Sequence, residues 1–192
     1  MPEAILFKTM TKLNGKLLIS KLTQPFVFIA IGAFSRILPH PANFAPIAAM
    51  ALFGGAYLNK KQALILPIGA MIASDLIIGF DSLPMRIAVY GSFLIMVLIG
   101  RQLKNNKDFK NVFLATTASS ILFFLITNFA VWAFGSMYAK TPLGLAECFT
   151  LAIPFFRNTV LGDFFYTGVF FGSYELVKKF ILSPAIRPSC KL

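Results

Sequence analysis

Six apolar runs, separated by short basic connections, constrain this chain more than any other feature. Crossing the hydrocarbon core of a bilayer takes about 20 predominantly apolar residues, with about 17 to 25 acceptable. Residues 17–38, 42–58, 62–80, 86–100, 112–134 and 158–182 come close to that length. The composition agrees: 57% of the 192 residues are hydrophobic and 13% charged, whereas soluble domains hold about 45–50% apolar and about 25% charged residues. The sequence therefore predicts an all-α membrane protein, a bundle of six transmembrane helices in a single integral membrane domain over residues 1–192. The basic stretch 1–16 and the tail 183–192 fall outside the bilayer.

Pro25 predicts a kink in the first span, and the second and fourth spans are short. The stretch 143–155, interrupted by Glu147 and Pro154, reads as an interfacial helix or re-entrant loop and not as a seventh span. Residues 1–20 lack a compact apolar region followed by a small-residue cleavage site, so the first apolar run is expected to be retained as a helix. No internal repeat or soluble domain is visible.

Orientation follows from Lys and Arg in the connections. One side carries Lys8, Lys12, Lys16, Lys21, Lys60, Lys61, Arg101, Lys104, Lys107, Lys110, Lys178, Lys179, Arg187 and Lys191; the other carries Arg36, Arg86, Lys140 and Arg157. Both termini are expected in the cytoplasm, in the inner membrane of a bacterial cell. The net charge of +11 is spread between apolar runs instead of gathered in a patch, which argues for a lipid bilayer as partner and against nucleic acid.

With this orientation each polar residue acquires a depth. Asp75 lies five residues before Phe80, about 7.5 Å below the outer boundary. Asn128 lies six residues before Phe134, and Asp163 six residues past Arg157, each about 9 Å down. Arg36, Asn43, Arg157 and Asn158 fall above this layer, and Trp132 is one turn above Asn128. An ionisable side chain at the bilayer centre costs about 2.5–3.5 kcal/mol on insertion scales, so such groups face a bundle interior or a wet cavity. The eight residues together predict a polar pocket open to the outside, with Asp75 reaching Arg157 and Arg36 reaching Asp163 across helices. The same charges can also serve packing alone, as an internal pair of Asp75 with Arg36 or Arg157. Asn158 can equally be an N-cap of the sixth helix.

Other chemistry is sparse. Cys148, read in a loop, and Cys190 in the tail show no metal or redox spacing, and His40 between Pro39 and Pro41 has no second ligand nearby. No metal, cofactor or catalytic residue is predicted, and an enzyme is not expected, since no activated nucleophile is legible. Tyr90, Tyr138, Tyr166 and Trp132 suit an interfacial aromatic belt, although Trp132 could also stack on a ring. Ala45 with Ala49, Ala51 with Gly55 and Gly69 with Ala73 are small pairs at four-residue spacing that let helices approach closely, for internal packing or for a partner-binding face.

The segments RILPHPANFAPIAAMALFGGAY (36–57), SDLIIGF (74–80), TNFAVW (127–132) and AIPFFRNTVLGDFFYT (152–167) resemble an uncharacterised family of bacterial integral membrane proteins assigned to transport and similar to the S components of energy-coupling factor (ECF) transporters. The resemblance implies a six-helix protein that captures a small nutrient from outside and docks on a transmembrane coupling protein carrying two ATPase subunits. It departs from S components on the first helix, where their Ala-x-x-x-Ala pattern meets Phe34 after Ala30 and Ile37 after Ala33. The expected function is a substrate-binding membrane subunit for a small polar or zwitterionic solute. A stand-alone ion-coupled carrier or channel, or a non-catalytic scaffold, is the alternative.

Overall fold

The computed structural model describes residues 25–39 and 41–182. His40, Cys190, the basic N-terminal residues and the start of the first expected span lie outside the described residues. Within them the chain is helical, with no strand: α1 Pro25–Ile37, α2 Ile47–Tyr57, α3 Lys60–Ile78, α4 Leu83–Gln102, α5 Phe109–Phe134 and α6 Pro142–Leu182. Three of these, α3, α4 and α5, are long and apolar enough to cross a membrane.

Local signals account for the boundaries. Asn59 caps α3, its side-chain oxygen accepting from the Gln62 N–H at 2.9 Å, which satisfies one of the four N–H groups that a helix start leaves free. Gly79 ends α3 at φ 109°, a conformation open to glycine and strained for other residues. Pro84 sits in the first turn of α4, where its missing N–H costs nothing.

Small polar residues are buried together with the apolar core, while many large apolar side chains face outward. Ser74, Ser92, Thr116, Ser119 and Ser120 are fully buried, while Ile65, Leu76, Ile77, Ile87, Leu98, Leu125, Phe129 and Phe165 are exposed. Several buried hydroxyls bond to their own helix: Ser92 to Val89 O at 2.7 Å, Thr116 to Val112 O at 2.9 Å. An apolar skin over small polar residues, most of them bonded within their own helix, suits a lipid environment, where packing rather than water exclusion holds helices together.

Four expectations are corrected. The stretch around Pro154 is neither a re-entrant loop nor a separate helix, because α6 runs unbroken for 41 residues, about 60 Å. A proline removes one backbone bond, but contacts with α5 on both sides of it hold the helix: the Cys148 thiol donates to Asn128 O at 3.4 Å, and Phe149 and Phe156 both pack on Phe124. Cys148 is thus a buried helical residue instead of a loop residue, and Asn158 sits in mid-helix instead of capping its start. The second expected span contains a helix of only 11 residues, about 16.5 Å long, too short to cross the hydrocarbon by itself.

That short helix is the hub. Ten of its residues, Ile47 through Ala56, are buried, and it packs against α3, α4 and α6, most extensively against α4. The approach to α4 is backbone to backbone. A Cβ added to Gly55 would lie 2.3 Å from Val97 O, and one added to Gly100 would lie 2.3 Å from Leu52 O. The Ala51/Gly55 pair therefore serves internal packing. Farther along, Tyr57 meets Tyr174 at 4.2 Å between rings, donates to Glu175 Oε1 at 2.8 Å and lies under Lys107 at 5.1 Å. This marks the end of the bundle where the loop joining α4 and α5 also lies.

Candidate functional site

At the opposite end α1 and α3 finish and α4 starts, and a cavity of about 390 Å³ opens between them. Its wall includes Arg36, Asn43, Ala48, Asp75, Asp81, Arg86, Tyr90, Phe93, Phe123, Thr159 and Asp163. Four of the eight residues expected at a pocket are therefore brought together: Arg36, Asn43, Asp75 and Asp163.

The upper part of the wall is a charge network joining three helices. Arg36, near the end of α1, donates through Nη1 to Asp75 Oδ1 at 2.5 Å and to Ser74 Oγ. Tyr90 of α4 donates its hydroxyl to Asp75 Oδ2 at 2.5 Å. Both carboxylate oxygens are thus occupied, with the Asp75 side chain 9% exposed and that of Arg36 23%. A partly buried carboxylate is stable where opposite charge and donated hydrogen bonds replace its water. Next to it, Arg86 donates from Nη2 to Asp81 O at 3.1 Å and lies over the Phe80 ring at 4.6 Å. Its Nε–H is buried and has no partner among the described residues.

Asp163 lies deeper. It is 21 residues beyond the start of α6 at Pro142, about 31 Å along the helix, beside Ser120, which is 14 residues before the end of α5 at Phe134. Asp75, by contrast, stands three residues before the end of α3 at Ile78, about 4.5 Å. The Ser120 hydroxyl donates to Asp163 Oδ2 at 2.6 Å. No Lys or Arg pairs with Asp163 among the described residues, and Oδ1 has no partner there. The expected crossing of charges is thus corrected: Arg36 takes Asp75, and Arg157, exposed on α6, pairs with neither aspartate. The register of α6 explains it, since a helix starting at Pro142 carries Arg157 and Asp163 far below the positions expected from a start near 157.

The connection between α1 and α2 descends into the same region. Its backbone turns at Asn43, φ 64°, in a left-handed conformation that Asn adopts more readily than most residues, with Phe44 N bonded to Pro41 O at 3.0 Å. Phe44 then packs so tightly on α6 that a Cβ on Gly162 would lie 3.1 Å from Phe44 Cα, and its ring meets Tyr166 at 5.5 Å. As a result α2 begins beside Asp163, and Ala45, Ile47 and Ala48 line the cavity. Non-helical backbone at such depth is tolerated where it is buried in protein or borders a cavity.

The other four expected residues do not line it. Asn128 bonds its own helix, Nδ2 to Phe124 O at 2.7 Å. Trp132 donates from Nε1 to Ala139 O at 2.9 Å and lies 5.9 Å from Lys140, which donates to Gly135 O at 2.5 Å and to Trp132 O; it ties down the connection to α6. Arg157 and Asn158 sit elsewhere on α6. In their place are Asp81, Arg86, Tyr90 and Thr159. Arg86, Val89, Tyr90 and Phe93 recur at helical spacing on one face of α4, a periodicity legible in the sequence. Thr159 is one turn before Asp163 on α6 and carried no such signal. No group of three or more His, Cys, Asp or Glu able to hold a metal occurs among the described residues.

These features define a class: among the described residues, an all-helical protein with three helices long and apolar enough to cross a membrane and a cavity lined by charged side chains at one end. The chain belongs to DUF6580, a family of unknown function, whose family model matches residues 17–186. No curated protein and no solved structure matches it.

Proposed function

We propose that this protein is a substrate-binding membrane subunit for uptake, which admits a small polar or zwitterionic solute into the cavity between α1, α3, α4 and α6. In this reading all six helices form the membrane domain, with both termini cytoplasmic, and the mouth at Arg36, Asp81 and Arg86 faces outward. The observation that carries the reading is the cavity wall. Five ionisable side chains, Arg36, Asp75, Asp81, Arg86 and Asp163, border one space of about 390 Å³, the size range of small-molecule sites. Packing alone would not leave such costly groups around a void.

The short α2 adds support. Its first intrahelical bond is Met50 N to Pro46 O at 2.8 Å, and no side chain caps its start. Transporters place short or interrupted helices beside mid-membrane solute sites, where free backbone groups and helix ends meet the ligand. The basic side chains Lys60, Lys61, Lys104, Lys107, Lys110, Lys178 and Lys179 gather at the other end, as the positive-inside rule requires for a cytoplasmic face. The source of energy lies with a partner, an ECF-type coupling protein with its two ATPase subunits on the strength of the resemblance.

A thermal-stability screen of the detergent-purified protein against vitamins, amino acids and small amines tests the reading. A compound that stabilises the natural protein but not Ala45→Phe, which fills the cavity, supports it. If no compound stabilises the natural protein, or if stabilisation survives the filled cavity, it fails.

A further inference from the structure

We infer that the cavity selects cations, binding an ammonium group of its ligand at Asp163, and that the ligand is a small amine with an apolar body. This deepens the proposed function and rests on the cavity being open to solutes. The argument is a charge balance by position. At the mouth, Arg36 is matched by Asp75, whose two oxygens are taken by Arg36 and Tyr90. Arg86 and Asp81 stand close together there, joined through Arg86 Nη2 and the Asp81 carbonyl. The mouth is neutral.

The floor is not. Asp163 is 2% exposed yet borders the cavity, and its only partner among the described residues is one serine hydroxyl on Oδ2. A buried carboxylate in low dielectric needs a counter-charge or several donated hydrogen bonds. Ser120 supplies one bond, and its proton is also within reach of Thr116 O at 3.1 Å. The counter-charge is therefore expected from the ligand. The same cavity is also walled by apolar and aromatic side chains: Phe93 and Phe123, stacked at 5.4 Å, with Ile47, Met71 and Val89. Such a surface accepts a hydrocarbon or aromatic body and also favours cations over ring faces. The cavity thus offers one carboxylate that no cation pairs among the described residues, apolar side chains in its wall, and at the mouth the Arg86 Nε–H, without a partner among the described residues, for an acceptor on the ligand's far end.

Thiol labelling reads the sign of the cavity without knowledge of the ligand. Thr159 borders the cavity and is 5% exposed. Thr159→Cys would be made in a Cys148→Ala, Cys190→Ala background, and labelled from outside in intact cells with 2-(trimethylammonio)ethyl or 2-sulfonatoethyl methanethiosulfonate, each rate divided by that for a free thiol. The cationic reagent is expected to react at least about tenfold faster than the anionic one, the factor that corresponds to about 1.4 kcal/mol. Asp163→Asn should abolish that preference, whereas Asp163→Glu should retain it. Equal rates, or a faster anionic reagent, with Thr159→Cys in an otherwise unchanged cavity would overturn the cation assignment while leaving a solute cavity in place. No labelling by either reagent, in intact cells and equally in folded protein purified in detergent, would overturn the open cavity itself.

Discussion

Adding one methyl group to Gly55 tests whether α2 is held against α4 through its backbone. A Cβ there would meet Val97 O at 2.3 Å, Arg101 N at 2.8 Å and Gly100 C at 2.9 Å. All three are backbone atoms, so no side-chain rotation relieves the contact. Restoring an ordinary separation of about 3.5 Å requires the helices to part by roughly 1 Å. Overpacking of this kind costs about 1–3 kcal/mol, offset by roughly 0.5–1 kcal/mol because alanine favours a helix interior over glycine. Three backbone contacts under 3 Å put the cost in the upper half of that range, so a net loss of about 1–2.5 kcal/mol is expected, a fall in Tm of about 2–10 °C for a chain of this size. Thermal unfolding of detergent-purified Gly55→Ala is the assay, with two controls. At Gly54 the nearest atom to an added Cβ is Ala63 Cα at 3.5 Å, and at Gly91 nothing lies within 4 Å. Both controls should equal or exceed the natural protein. Gly55→Ala as stable as Gly91→Ala would refute the close α2–α4 seam.

Further predictions follow from the charge network and the topology. Arg36→Gln should destabilise the protein by leaving Asp75 without a counter-charge, and adding Asp75→Asn should recover part of the loss; a coupling of about 0.5–3 kcal/mol in the double-mutant cycle is expected, and strict additivity would remove the pair from the account. Tyr90→Phe deletes a hydrogen bond to a charged acceptor and should cost about 1.5–3 kcal/mol, read as a drop in Tm, while Tyr166→Phe, whose ring contacts persist, should be near neutral. A fluorescent-protein fusion after Leu192 should be bright and an alkaline phosphatase fusion there inactive, because both termini are proposed to be cytoplasmic; the opposite pattern would turn the cavity mouth inward.

Much of the helical framework was readable from the sequence, and the places where reading failed share a cause. α3, α4 and α5 match the expected runs to within a few residues because hydropathy and length decide them. The start of α2 was placed early: Pro41, Asn43 and Pro46 keep the chain extended or turned until Ile47, although the residues are small and apolar. Pro154 predicts a break, yet in α6 the flanking contacts of Cys148, Phe149 and Phe156 with α5 outweigh one missing backbone bond. That single misplaced helix start shifted every depth on α6. It draws Arg157 and Asn158 into the site and sets Asp163 level with Asp75, about 9 Å below the outer boundary, instead of deeper on the floor. Arg36, Asp75 and Asp163 are legible because charge beside or within an apolar run is costly, and Asn43 because it is a polar residue between two such runs; its left-handed turn is not legible. Tyr90 was assigned to an aromatic belt, since its bond to Asp75 depends on how α4 meets α3, which no single-helix pattern encodes.

The central claim is that the cavity above Asp163 holds a solute. Mass spectrometry of small molecules released from gently purified natural protein, beside folded Asp163→Asn as the blank, addresses it most directly. The account predicts a compound, an amine, present in the first sample and absent from the second. Identical, empty spectra from both folded proteins after growth in rich medium would contradict high-affinity capture and leave the charged wall as a packing device.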